Sequence, residues 1–306
     1  MSAHATLSAR TALMLLVPPL LWAGNAITGR LVHELIPPMT LNFLRWLLAL
    51  FLLLPIAHRM LAPRSVLWSH WRRYALLGFL GVGLYNSLQY TALQTSTPIN
   101  VTLVASSTPV FMLVIGAVFF GQRVQSRQVV GSVLSILGVL LVLSRGDWQT
   151  LMQVQLVTGD WFILAATLSW AFYSWLLAQA HQDPAEIRGH WANFVVAQIV
   201  FGLIWSGSFS VAEWTLQDNL QIVWGWPLAL ALIYVAVGPS AVAYRCWGLG
   251  VQAVGPTVAG FFANLTPVFA ASMSALMLGE HPQLYHFGAF ALIVGGIVVS
   301  SKRPKD

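Results

Sequence analysis

Arg45 lies within a predominantly apolar run, Met39 to Ala57, and is the one basic residue well inside any such run. A guanidinium there has two possible uses. Its long stem can carry the charge out to lipid headgroups, or it can turn to a central cavity and hold a carboxylate through paired N–H bonds. A second group, Tyr85, Asn86, Gln89 and Tyr90, is spaced so that i,i+4 neighbours pair Tyr85 with Gln89 and Asn86 with Tyr90. Trp22 and Asn25, Ser106 and Ser107, Trp170 and Tyr173, and Asn264 also fall near the middle of apolar runs. Singly, each is the kind of residue that makes an interhelical hydrogen bond or a packing contact. Together they describe a polar and aromatic lining in which rings stack and amides hold polar groups. The candidate binding set is Trp22, Asn25, Arg45, Tyr85, Asn86, Gln89, Trp170, Tyr173 and Asn264.

No catalytic or metal-binding constellation accompanies this set. Gly78, Gly81 and Gly83, like Gly248, Gly250 and Gly255, miss the dinucleotide-binding spacing, and no zinc-protease helix motif, phosphate-loop lysine or nucleophile-elbow serine occurs. The histidines scatter over loops and run ends, and the single cysteine, Cys246, leaves neither a disulfide framework nor a cysteine zinc site. The expectation is a protein that is not an enzyme and needs no metal or cofactor.

The elements that must position these residues follow from composition. Of 306 residues, 58% are hydrophobic and only 8% charged, where a soluble domain carries roughly 25% charged residues. A helix needs about 20 apolar residues to cross the hydrocarbon of a bilayer. Ten stretches qualify: Thr11 to Gly29, Met39 to Ala57, Tyr74 to Leu93, Pro98 to Phe120, Val129 to Ser144, Asp160 to Ala178, Gly189 to Gly207, Pro227 to Cys246, Pro256 to Leu278 and Leu284 to Ser301. The first could pass for a cleaved secretory signal, but Pro18 and Pro19 and a later copy of its Trp-Ala pair mark it as a retained span. With the N-terminus in the cytoplasm, Arg59, Arg64, Arg72, Arg73, Arg123, Arg127 and the terminal Lys302, Arg303 and Lys305 fall inside, against Arg30 and Arg145 outside. That asymmetry satisfies the positive-inside rule and puts both termini in the cytoplasm of an inner-membrane protein. The net charge of +6 is then a topology signal and not a nucleic-acid footprint. The partners implied are the lipid bilayer and a small-molecule solute; oligomeric state is not encoded in these features.

Thr-Pro-Val-Phe at Thr108 to Phe111 recurs at Thr266 to Phe269, an offset of 158 that also matches Pro98 to Pro256, Gly121 to Gly279 and Gly138 to Gly296. At a slightly different offset Trp22-Ala23 matches Trp170-Ala171. Two halves of five spans each, residues 1–146 and 147–306, must enter the membrane from opposite sides because five is odd. The expected fold is therefore an all-α integral membrane protein of ten transmembrane helices arranged as two inverted five-helix repeats, with a site where the halves meet. Pro109 and Pro267, at equivalent mid-span positions, are the candidate helix hinges.

The tandem pattern of Pro98, Thr108-Pro109-Val110-Phe111, Gly121, Gly131 and Gly138, with its copy in the second half, resembles the EamA-type members of the drug/metabolite transporter superfamily. The resemblance covers nearly the whole chain and implies a helical transporter of small organic solutes, several such proteins exporting amino acids or related metabolites. The Gly-Glu common at the end of the fourth helix of each half is matched by Gly279-Glu280 but replaced by Gly121-Gln122 in the first half. No Asp or Glu lies mid-span, so a proton carrier is missing and facilitated transport or exchange is the expected mode.

Overall fold

A computed structural model describes residues 7–96, 98–278 and 283–301. Helix α1 spans Ala9–Leu31 and begins at Ser8, whose Oγ accepts the Thr11 N–H at 3.1 Å. Helix α2 spans Pro38–Ala57. Helix α3 is built from Trp71–Leu77, a π-helical stretch Gly78–Leu84, and Tyr85–Thr95. Helix α4 comes in two pieces, Pro98–Ala105 and Thr108–Phe120, and α5 spans Ser126–Leu143. After a short connection come α6, Thr158–Ala178, and α7, Trp191–Leu216. Helix α8 repeats the make-up of α3, with Trp226–Val235, a π-helical stretch Ala236–Val242, and Ala243–Val254. Helix α9 repeats the break of α4, with Pro256–Ala263 and Thr266–Leu278, and α10 spans Leu284–Ser301. The bounds of the π-helical stretches, of both broken helices, and of α5 and α10 all reproduce the 158-residue offset of the sequence motifs.

Among the described residues, eight helices are long and apolar enough to cross a membrane, where ten spans were expected. The expected spans outside that set fall on α3, whose second part carries Asn86, Ser87, Gln89 and Gln94, and on α9, which is split at Asn264. Large apolar side chains such as Leu13, Phe51, Val118, Phe119, Trp161 and Ile204 are exposed on the outer faces of the bundle, as a surface meeting acyl chains requires.

Hydrocarbon neighbours supply no hydrophobic drive between helices, so close approach of small residues must supply contact instead. Helices α5 and α10 meet at glycine: a Cβ on Gly131 would lie 2.8 Å from the Gly296 carbonyl oxygen, and one on Gly296 would lie 2.6 Å from that of Gly131. Helices α3 and α7 cross in the same way, where a Cβ on Gly78 would lie 2.5 Å from the Gln198 carbonyl oxygen.

Two expectations change. Helix α7 continues past Gly207 to Leu216, which brings the carboxylate of Glu213 into the packed bundle. There it accepts the Met39 and Thr40 N–H groups, each at 3.0 Å, and the Thr40 hydroxyl at 2.9 Å, capping α2 from a different helix. The second change concerns the prolines. Pro109 and Pro267 do not sit mid-helix with a bond removed; each is the second residue of a new helix, after breaks at Ser106–Ser107 and at Asn264 and Leu265. A missing N–H is no loss in a first turn, where it would be unpaired in any case. The Thr108 hydroxyl donates to the Ala105 carbonyl at 2.6 Å and the Ser106 hydroxyl to that of Leu103 at 2.6 Å, so the broken turn remains hydrogen-bonded. Gly279-Glu280 and the terminal basic residues lie outside the described residues.

The α5–α10 contact gives a direct test. Gly296→Val should drive the two backbones apart and cost about 1–3 kcal/mol of stability, read as a lower thermal midpoint of the detergent-purified protein. Its neighbour Gly295, whose Cβ would meet nothing within 4 Å, should accept alanine with a change within about 0.5 kcal/mol.

Candidate functional site

Arg45, on the α2 face turned toward the bundle, is only 1% exposed. Its guanidinium does not run out to the headgroup level but is held by residues of three other helices, α1, α3 and α8. Nε donates to Ser240 Oγ of α8 at 2.9 Å, and Nη1 is shared among Tyr90 OH at 2.7 Å, Asn25 Oδ1 at 3.2 Å and Asn86 Oδ1 at 3.3 Å. Each acceptor is itself held. Tyr90 OH donates to Asn25 Oδ1 at 3.1 Å, Asn86 Nδ2 donates to Tyr244 OH at 3.0 Å and to the Gly81 carbonyl at 3.3 Å, and Ser240 Oγ donates to the Val235 carbonyl at 2.6 Å. The π-helical stretches make part of this possible. A wider turn leaves carbonyls out of the regular ladder, and Leu80, Gly81 and Val82 use theirs to accept from Ser169, Tyr244 and Asn42.

Beside this network lies a cavity of about 130 Å³. One wall is Trp22, Asn25 and Ala26 of α1; a second is Tyr85, Asn86, Gln89 and Tyr90 of α3. Thr102, Ala105, Ser106 and Thr108 of α4 form a third, and Trp170 of α6 with Asn264 and Pro267 of α9 complete the lining. The structure thus brings seven of the nine candidates, Trp22, Asn25, Tyr85, Asn86, Gln89, Trp170 and Asn264, to one cavity. Arg45 stands behind the wall, joined to it through Asn25, Asn86 and Tyr90. Tyr173 is fully buried and faces away, its hydroxyl donating to Gln198 Oε1 of α7 at 2.7 Å.

Below Trp22 the path is filled by rings. Trp22 meets Trp170 edge to face at 5.2 Å and Trp247 at 5.4 Å, and Trp170 also packs on Tyr85 at 4.7 Å and on Tyr244 at 5.4 Å. The Trp247 N–H is engaged by Ser174 Oγ at 3.0 Å. Farther along, the Trp175 N–H donates to the Met112 carbonyl at 2.7 Å, fastening α6 to the second part of α4.

Residues one repeat offset apart touch one another at this centre. Asn86 bonds Tyr244, and Asn264 Nδ2 donates to the Ser106 carbonyl at 3.1 Å; both pairs are 158 positions apart. The binding set chosen from sequence missed Tyr90, Ser240, Tyr244 and Trp247. Tyr90 carried the i,i+4 signal beside Asn86, and Tyr244 is the repeat counterpart of Asn86, so the pattern could have found both. Ser240 has no such signal: its role depends on reaching a guanidinium 195 positions away.

The sequence pattern of the EamA-like transporter family matches residues 9–144 and again 157–302, and the chain belongs to that family. Among similar proteins is an uncharacterized transporter of Archaeoglobus fulgidus, 24% identical, covering 97% of this chain and 99% of the relative. A probable amino-acid metabolite efflux pump of Escherichia coli is 22% identical, covering 96% and 95%. The aromatic amino acid exporter YddG of Ancylobacter novellus is 23% identical over 78% of each chain. A crystal structure of a protein superimposes with a TM-score of 0.73 over 96% of this chain and 97% of its own, at 19% identity, a likeness of fold. The protein is a multi-pass membrane protein of a transporter family, and its role is membrane transport of a small metabolite.

Because Tyr173 packs away from the cavity, Tyr173→Phe should lower stability by about 1 kcal/mol through the lost bond to Gln198 and leave solute binding unchanged. Thermal unfolding with and without a bound solute separates the two effects.

Proposed function

We propose that the protein is a secondary transporter that moves a small organic metabolite, an amino acid or an amphipathic aromatic compound, across the inner membrane by alternating access, as an exporter or exchanger. Ten spans form two inverted halves, residues 1–146 and 147–306, with both termini in the cytoplasm. The observation that carries this reading is the polar and aromatic cavity at the contact of the halves, reaching as far as Trp22 and Trp170 and stopped there by packed rings. In a pair of inverted halves, contacts between repeat counterparts lie on the pseudo-twofold axis, and Asn86–Tyr244, Ser106–Asn264 and Trp22–Trp170 are such pairs. A site on that axis faces either side with the same residues once the halves exchange conformations.

The lining assigns roles. Trp22, Tyr85 and Trp170 offer ring faces, Asn25, Asn86, Gln89 and Asn264 hold polar groups, and Arg45 sets the electrostatics from behind Asn25 and Asn86. The breaks in α4 and α9, just before Pro109 and Pro267, are the points about which their two pieces reorient. The names of the relatives from Escherichia coli and Ancylobacter novellus support amino-acid-related solutes and outward movement. The described cavity residues carry no carboxylate, which supports movement down a gradient or by exchange.

Reconstituted liposomes test this. Saturable uptake that accelerates when solute is loaded on the opposite side is expected of a carrier, whereas linear, non-accelerated flux would indicate a channel. Uphill accumulation driven by an imposed pH gradient would overturn the uncoupled mode.

A further inference from the structure

A guanidinium is a permanent cation with donors only, and every acceptor around Arg45 is a neutral oxygen: Ser240 Oγ, Asn25 Oδ1, Asn86 Oδ1 and Tyr90 OH. Among the described residues the ion pairs are His33–Glu34, at the surface, and Arg73–Asp183. Arg73 shows the ordinary arrangement, two bonds to the Asp183 carboxylate at 2.7 and 3.2 Å. Arg45 is more deeply buried and has no such countercharge among the described residues.

The geometry of Asn25 turns that charge toward the cavity. Since Arg45 and Tyr90 both donate to it, Asn25 must face them with Oδ1, and its Nδ2 group therefore points the other way. That nitrogen makes no hydrogen bond to a described residue, and neither does Nη2 of Arg45. Asn25 lines the cavity, and none of the described residues of the lining is charged. A lone positive charge in a low-dielectric wall, with an amide donor polarised by it, is a receptor for an anion. The same cavity is lined by the rings of Tyr85 and Trp170, 4.7 Å apart.

We propose that Arg45 and Asn25 form the carboxylate subsite of this cavity: Asn25 Nδ2 donates to the solute carboxylate, Arg45 supplies the missing countercharge from behind it, and the apolar part of the solute lies against Tyr85 and Trp170. Arg45 is a positioning and electrostatic residue here, acting largely through Asn25. The inference rests on the transporter reading but concerns recognition, which is measurable without transport.

The test compares protection of the purified protein against thermal unfolding by 3-phenylpropionate, phenylalanine, phenylalanine amide and phenethylamine. The two carboxylates are expected to protect at concentrations at least tenfold lower than the amide or the amine. Equal protection by all four, protection by none, or equal protection by chloride or inorganic phosphate would overturn the proposal, the last by making the site one for inorganic ions. Asn25→Asp places a countercharge beside Arg45 and should abolish the carboxylate preference while keeping or raising the thermal midpoint. Retained preference in a folded N25D protein would also overturn the proposal. Carboxylate preference without flux in liposomes would sustain the subsite and refute the transporter reading; flux without the preference would do the reverse.

Discussion

One buried cation, Arg45, fixes the arrangement of the central helices. In hydrocarbon a guanidinium without partners is prohibitively costly, so the bonds made by its Nε and Nη1 constrain the neighbours that accept them. Tyr90 and Asn86 hold α3, Asn25 holds α1 and Ser240 holds α8. Helix α2 thereby becomes the post against which part of the cavity wall is set, and three residues of that wall, Asn25, Asn86 and Tyr90, bond Arg45. Because those residues are neutral, they answer the guanidinium with hydrogen bonds, and none of the described residues around it answers it with charge.

The same requirement, that no polar group be left bare in lipid, explains the irregular backbone at the centre. The breaks in α4 and α9 and the π-helical stretches in α3 and α8 expose carbonyls, and nearby hydroxyls and amides accept the task of pairing them. The breaks in α4 and α9 border the cavity at Ser106 and Asn264, and the regular, glycine-mediated contacts of α5 with α10 lie away from it. A rigid framework and a less regular centre are thus divided between different helices. At the helix ends, carboxylates do the pairing. Glu213 caps α2, and Asp160 accepts the Val157 N–H at 2.8 Å at the start of α6 while also bonding Ser96.

Much of the fold was legible because its cause is local. Apolar run lengths located the helices, several to the residue, as for Leu284–Ser301. The 158-residue offset anticipated that α4 and α9 would share an irregularity, although the irregularity proved to be a break before each proline and not a bend at it. Helix α7 ran longer than its apolar stretch because Glu213 finds its partners on α2, and nothing near Glu213 in the chain reveals that. For the site, mid-span polarity and i,i+4 spacing selected nine candidates, most of which line the cavity, since only groups with a polar partner or a cavity can sit at such depth.

The sequence by itself determined that the chain lives in lipid, that its two halves are copies, and which residues are too polar to face acyl chains. Tertiary structure alone decided where those residues point. Tyr173 and Trp170 are three positions apart on α6, yet one hydroxyl turns to Gln198 while the other ring closes the cavity. Arg45 lies behind the wall and not in it because its four acceptors come from Asn25, Asn86, Tyr90 and Ser240, between 20 and 195 positions distant. Helical periodicity assigns a residue to a face of its own helix. Which neighbour that face meets is set by the packing of all the helices together.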